Sequence, residues 1–358
     1  FMKCNIIFVI LQTAMKDTAF FDRLTGDASR ASIVVHTHPD GDAVGSGTAM
    51  ARYLADIKGK DTALVLPDGI PDSISFMTRW ADPVRVIVFD KETDKAKGRI
   101  ESSDLIICLD CNSFSRTAGM ESLLRESKAR KILIDHHLNP ETESFDLTFS
   151  KTGISSASEL LFWILMETPQ IHGDASSLPE GCASALLAGM TTDTNNFANS
   201  VFPSTLEMAS RLMAAGVDRD GILSELYNKF RENRLRLLGY LISEKLTITP
   251  EGAAVIILDK ETQDMFDFRR GESEGFVNLP LSVAKVRMSV FLTQEDNLFK
   301  VSVRSKKGTS ANDFAARYLN GGGHELAAGG KLAIGKDLAT AESAGAYILK
   351  ATGKFLGI

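Results

Sequence analysis

Carboxylate and imidazole side chains gather in four short segments of this 358-residue chain. The first is His36-Thr37-His38-Pro39-Asp40-Gly41-Asp42. The second places Asp110 inside Cys108-Leu109-Asp110-Cys111-Asn112. The third is Asp135-His136-His137, and the fourth carries Asp193 in Thr191-Thr192-Asp193-Thr194. Together they hold four of the six histidines. Each is read at the end of an apolar run, where an α/β sheet presents its loops to a ligand. Mixed oxygen and nitrogen donors suit hard to borderline divalent cations. Two such cations side by side serve phosphoryl chemistry.

Each residue also has an ordinary alternative. His36, Asp40 and Asp42 stand four and two apart, in a turn that Pro39 and Gly41 make compact. Asp42 is equally a fair N-cap for a helix over 43–57. His38 faces the other way from His36 in an extended segment and is not expected to ligate. Asp110 follows the apolar run 105–109, where an unpaired buried carboxylate is costly and a metal removes that cost. Its alternative is a loop cap. His136 and His137, being adjacent, point to different sides of an extended chain. They serve one site only with different jobs, one ligating metal and one reaching substrate, with Asp135 orienting an imidazole. For Asp193 the alternative is helix termination or an Asx-turn. Gly321-Gly322-Gly323-His324 is either an anion-approaching backbone or a flexible connection.

The elements that must position these residues follow from periodicity. Short β-branched runs at 32–35, 62–66, 84–88, 105–109 and 131–134 predict strands. Helices are predicted over 43–57, 118–128, 155–167, 181–190 and 204–215. Gly45, Ser46, Gly47 and Ala49 leave room for close packing of a helix on the sheet or of backbone on a ligand. Alternating βα units imply an α/β fold with a mainly parallel sheet and helices on both faces. A long polar helix to about Lys245 then reads as a connector. Strands at 254–258, 283–292 and 299–304, the last two a hairpin, and helices over 311–319 and 336–349 make a smaller α+β part. The expected division is 1–215, a helical connector 216–245, and 246–358.

At 44% hydrophobic, 24% charged and a net charge of −6, the chain has a globular composition. It has no global basic field for long duplex nucleic acid. Cys4, Cys108, Cys111 and Cys182 do not form a disulfide framework, and reduced thiols point to the cytoplasm. No run approaches the ~20 apolar residues of a membrane span. The apolar stretch 5–11 reads as a buried terminal segment or as sequence upstream of the native start, and Phe1 before Met2 also suggests that the native start lies elsewhere.

In this order the segments closely resemble the DHH phosphoesterase family, named for the run seen here as Asp135-His136-His137. Gly321 to His324, preceded by Arg304-Ser305, resembles that family's DHHA1 substrate-binding domain. The resemblance spans roughly residues 30 to 335 and is strongest to the bacterial oligoribonuclease and pAp-phosphatase branch. It implies one metal on His36, Asp40 and Asp110, and a second on Asp42, Asp110, His136 and Asp193, with Asp110 bridging. Manganese is the implied metal. It further implies that His137 and Arg116 contact the scissile phosphate, and that Arg304, Ser305, Gly322, Gly323 and His324 hold the far end of the substrate. The implied activity is hydrolysis of short 5′-phosphorylated oligoribonucleotides and of dinucleotides such as pApA or pGpG, and of pAp. The partners implied are a short oligoribonucleotide or nucleotide and no membrane, and a homodimer is permitted. A pyrophosphatase or exopolyphosphatase and a non-catalytic nucleotide sensor are the alternatives. One departure is Asn195, where many relatives have glycine. Asn tolerates a left-handed backbone, so the loop shape is expected to survive.

Overall fold

The computed structural model describes residues 17–357, so the apolar stretch 5–11 and Cys4 lie outside the described residues. The chain divides into two compact units, one ending at Asn228 and one beginning at Lys229. The division falls within the segment read as a connector.

The first unit is built on six strands: β1 (Arg30–Val34), β2 (Asp61–Leu66), β3 (Arg85–Val88), β4 (Leu105–Leu109), β5 (Arg130–Asp135) and β6 (Leu147–Ser150). They lie in the order β3-β2-β1-β4-β5-β6, and every neighbouring pair is parallel. The order reverses between β1 and β4, and a parallel sheet binds ligands at such a switch point, beyond the carboxyl ends of the strands. The helices are α1 over 17–27, α2 (Gly41–Arg52), α3 (Thr93–Glu101), α4 (Glu121–Glu126), α5 (Ala157–Met166), α6 (Glu180–Asp193), α7 (Pro203–Ala214) and α8 (Arg219–Tyr227). Alternate residues of the central strands feed two cores. Ile33, Ile107, Leu109, Ile132 and Ile134 pack with α1, α2, α5 and α6. Val34, Ile106, Cys108 and Leu133 pack with Ala96, Ile100 and Leu124 of α3 and α4. Strands covered on both faces need continuous apolar runs, which is why β1, β4 and β5 read so clearly.

The small residues of α2 serve packing on both sides. A Cβ on Gly45 would lie 2.7 Å from the Ala185 carbonyl oxygen, and one on Gly47 2.8 Å from Leu64 Cδ1. Glycine therefore lets α2 sit against α6 and against β2 at once.

Several boundaries differ from the sequence reading. Helix 43–57 is α2 continued by a π turn, Tyr53–Ile57. Its cap is Asp40, whose Oδ1 accepts from the N–H groups of Asp42 and Ala43 at 3.1 Å, so Asp42 is released from that role. Helix 118–128 is a 3-10 turn, Phe114–Met120, followed by α4. Elements of this unit that went unread include α1, α3, edge strand β6 and the 3-10 segment Asp72–Ala81. The long connector helix is interrupted, because Arg231 is extended (φ −67°, ψ 151°). Its guanidinium binds Glu272 and Asp267 at 2.7 and 2.6 Å, so tertiary contacts override helix propensity there.

The second unit contains α9 (Glu232–Tyr240), β7 (Leu246–Ile248), β8 (Ala253–Leu258), α10 (Lys260–Met265), β9 (Met288–Gln294), β10 (Leu298–Ser305), α11 (Ala311–Tyr318), β11 (Gly322–Gly323), β12 (Ala327–Ala333) and α12 (Ser343–Leu356). Its sheet runs β11-β12-β10-β9-β8-β7, antiparallel except for β8 with β9. The β9–β10 hairpin was foreseen, whereas β12 was not. The final helix starts seven residues later than read, because the chain forms a turn at Gly335 (φ 85°) first.

Candidate metal centre

Four strand- and helix-end loops bring the first unit's charged residues together. His36 follows β1, Asp40 caps α2 and Asp42 lies in its first turn. Asp110 follows β4, Asp135 ends β5 with His136 and His137 just beyond, and Asp193 ends α6. His36, Asp42, Asp110, Asp135 and His136 are all buried. Asp110 is the hub. Its Oδ2 lies 3.3 Å from His36 Nε2, and its Oδ1 lies 3.4 Å from both His136 Nε2 and His137 Nδ1. Asp40 Oδ1 is 3.8 Å from His36 Nε2. On the other side, His136 Nε2 lies 3.8 Å from Asp42 Oδ2 and 3.6 Å from Asp193 Oδ2. Donor atoms of His36, Asp40 and Asp110 form one close group, and those of Asp42, Asp110 and His136 another. Asp110 belongs to both.

The local backbone explains the convergence. The N–H of Asp110 still bonds the Ile134 carbonyl at 3.1 Å, extending the β4–β5 ladder. The chain then turns through φ 53° at Asp110, an uncommon left-handed conformation that Asp tolerates. Asp42 is held by the amino end of α5, where its Oδ2 and Oδ1 accept from the N–H groups of Ala157 and Ser158 at 2.6 and 2.9 Å. A helix N-terminus favours such an anion. These two backbone donors were not foreseen. Asp135 accepts from His137 twice, from its N–H at 2.9 Å and from Nδ1 at 2.9 Å. It therefore orients His137 rather than His136.

The donor set fits divalent cations. His36 Nε2 and Asp110 Oδ1 are buried and have no hydrogen-bond partner among the described residues. A buried polar atom left this way costs about 1–3 kcal/mol. Glu159 shows the ordinary solution: it is also fully buried, but accepts from Ser155, from Thr205 Oγ1 at 2.7 Å and from Ser155 N–H at 3.1 Å.

The charges of the cluster perturb one another. Burial opposes charge on His136, but Asp110, Asp193 and Asp42 overcome it and raise its pKa to about 10. Burial, then Asp110 and Asp193, push Asp42 well above the carboxylate range. Burial, then Asp40 and Asp110, raise Asp193 to about 6 against the pull of His136. Asp110 runs the other way: burial is outweighed by the neighbouring imidazoles of His136 and His36, so it stays well below its usual range. Binding a cation requires release of such protons.

Arg116 lies in the 3-10 turn after β4, half-buried, and its carbonyl accepts the Thr37 N–H at 2.7 Å. Its guanidinium has no carboxylate partner among the described residues. Asn195 has φ 48°, and Asn196 and Phe197 continue left-handed at 54° and 66°. Asn195 thus takes the left-handed backbone that asparagine tolerates. His38 is absent from the Asp110 groups in the first unit and faces Asp68, with Nδ1 3.5 Å from Oδ2. Cys108 and Cys111 are buried free thiols, with Cys111 pushed up to about 12, chiefly by burial. This fits packing, not redox or metal chemistry.

In the second unit the glycine run is neither a flexible connection nor an open set of N–H groups. Gly322 and Gly323 pair with Gly329 and Ala328 across β11–β12. Gly323 N–H donates to Asn312 Oδ1 at 2.9 Å, and His324 N–H donates to the Ala327 carbonyl at 2.7 Å. A Cβ on Gly321 would sit 1.9 Å from the Gly329 carbonyl oxygen, and one on Gly323 2.6 Å from that of Ala327. Close strand approach therefore requires these glycines. Arg304 and Ser305 end β10 opposite this turn, since Arg304 pairs with Ala327 and Ser305 N–H donates to the Leu326 carbonyl at 3.0 Å. Ser305 Oγ is buried without a partner among the described residues.

Comparison with known proteins agrees with this division. Residues 30–190 match the N-terminal domain of the DHH family, and residues 254–346 match the DHHA1 domain. A Bacillus subtilis protein named bifunctional oligoribonuclease and PAP phosphatase NrnA is 29% identical over 84% of this chain and 89% of its own length. A Thermus thermophilus protein of the same name is 29% identical over 84% and 83%. The crystal structure of an exopolyphosphatase-related protein from Bacteroides fragilis is 34% identical, covers 95% of this chain and 96% of that one, and superposes with a TM-score of 0.85. The chain belongs to the DHH family, with a DHHA1 domain in its second unit.

Proposed function

We propose that the chain is a metal-dependent phosphoric ester hydrolase that cleaves short 5′-phosphorylated oligoribonucleotides and linear dinucleotides, such as pApA and pGpG, and converts pAp to AMP. One observation carries this reading: the two oxygens of a single buried carboxylate, Asp110, face two different imidazoles at 3.3 and 3.4 Å. A carboxylate placed this way would be available to two cations at once. The relatives named as oligoribonuclease and PAP phosphatase supply the substrate class. The donor set of carboxylate oxygen and imidazole nitrogen suits manganese.

His36, Asp40 and Asp110 would hold one ion, and Asp42, Asp110, His136 and Asp193 the other. Two bound cations lower the pKa of an attacking water and polarise the phosphoryl oxygens. The chain does the rest. Asp135 fixes the His137 ring through Nδ1, and His137 so oriented would contact the phosphate or the departing ribose oxygen. Arg116 offers a planar fork to phosphate oxygens. Water attacks phosphorus, the P–O bond to the leaving oxygen breaks, and that oxygen takes up a proton. Arg304, Ser305, Gly322, Gly323 and His324 contribute to substrate binding, through the Arg304, Ser305 and His324 side chains rather than through glycine N–H groups. Among the described residues no helix is long and apolar enough to cross a membrane, and the buried free thiols of Cys108, Cys111 and Cys182 suit the reducing cytoplasm.

The test is product identity with manganese. AMP from pApA, lost with EDTA, supports the reading. Phosphate released only from pyrophosphate or polyphosphate would replace it with the alternative phosphatase, and binding of pApA without product would replace it with a sensor.

A further inference from the structure

The loop that carries His36 and Asp40 is not held by its own residues alone. Thr37 N–H donates to the Arg116 carbonyl at 2.7 Å, which ties the loop to the segment after β4. A second tie comes from the opposite neighbour. Asp68, two residues beyond β2, accepts from the His38 N–H at 2.7 Å through Oδ1 and from Thr37 Oγ1 at 3.3 Å through Oδ2. His38 Nδ1 approaches the same Oδ2 at 3.5 Å and Thr37 Oγ1 at 3.1 Å. Between these anchors His38 is left-handed, with φ 56°. An imidazole-bearing residue adopts that conformation at a steric cost unless its surroundings enforce it.

The turn has a consequence for the ligands on either side. His36 precedes it and Asp40 follows it, and both face inward, with Asp40 Oδ1 3.8 Å from His36 Nε2. An extended residue at 38 would send the chain elsewhere and separate them. We propose that Asp68 is a positioning residue: its carboxylate clamps the left-handed turn at His38 and so holds His36 and Asp40 on one cation beside Asp110. This rests on the metal reading above. It assigns Asp68 no contact with substrate or metal. Its role is like that of outer carboxylates whose loss weakens metal affinity by roughly 10–100-fold.

The experiment is manganese binding by the full chain without substrate, read by equilibrium dialysis and EPR, for wild type, Asp68→Ala, Asp68→Asn and Asp68→Ala with His38→Gly. Asp68→Ala is expected to weaken one of two manganese ions by roughly 10–100-fold and to spare the other. Asp68→Asn keeps an acceptor for the His38 N–H and should stay within a few-fold of wild type. The informative arm is the double variant. Glycine adopts φ 56° without steric cost, so it should recover much of the lost affinity even without the clamp. A general loss of folding would not be rescued that way, and circular dichroism separates the two. Wild-type affinity in Asp68→Ala, or equal loss of both ions without rescue, overturns the assignment. A wild-type chain that binds no manganese overturns the metal reading itself, and the Asp68 role with it.

Discussion

The two units use their unusual residues in opposite ways. In the first, the distinctive side chains point at one another, and backbone N–H groups hold them there: Ala157 and Ser158 grip Asp42, and Asp40 caps its own helix. Within that cluster, His36 Nε2 and Asp110 Oδ1 are buried with no hydrogen-bond partner among the described residues. In the second, the distinctive residues are glycines, and their N–H groups are largely spent within the fold. The substrate-binding role proposed for that unit therefore falls to the side chains of Arg304, Ser305 and His324. A concentrated, pre-formed charge cluster suits chemistry, whereas a tight strand turn suits the display of a few binding groups.

The comparison can be broken by substitution. The largest expected effect is at Asp110. Asp110→Ala removes the shared donor of both groups, and pApA hydrolysis should fall by roughly 10³-fold or more, the scale on which preorganised electrostatic contacts act. Next is Asp135→Asn. It weakens the hold on His137 without touching the metal donors, so kcat should drop by roughly 10–100-fold while manganese stoichiometry stays unchanged. In the second unit the corresponding blow is to stability. Gly321→Ala forces a Cβ into the Gly329 carbonyl, and overpacking of that kind costs about 1–3 kcal/mol. Thermal melting should show it, with metal binding intact. His324→Ala should be mildest, raising KM for pApA with kcat and both manganese ions largely preserved.

The protons held by the first unit sharpen the contrast further. His136 is raised from 6.5 to about 10. In the metal-free chain its contribution to stability is complete below about pH 6.5 and is lost as pH climbs toward about 10. Manganese needs that nitrogen deprotonated, so its affinity should rise across the same window, with a proton released on binding. Calorimetry in two buffers of different ionisation enthalpy reads this directly. A flat affinity between pH 6.5 and 9 would contradict it.

Most of the candidate metal centre was legible because its residues lie at the ends of β1, β4 and β5, whose apolar runs are unmistakable. The cap of α2 was misplaced: Asp42 was read as its fair N-cap, whereas Asp40 takes that place and α5 supplies donors for Asp42. Asp68 left no signal, since a lone aspartate in a loop works here through a backbone N–H 30 residues away. Strand β6 is a four-residue edge strand, and α3 is largely polar, so neither carried a strong period. The glycine run was visible as a motif, yet its physical reason is contact with β12, an element too rich in small residues to read as a strand.

The most direct test of the central claim is the manganese content and EPR spectrum of the chain, with and without Asp110. Two manganese ions per chain, magnetically coupled through a shared ligand and both lost or uncoupled in Asp110→Ala, is the expected result. One ion per chain, or two uncoupled ions indifferent to Asp110, would contradict a bridged two-metal centre.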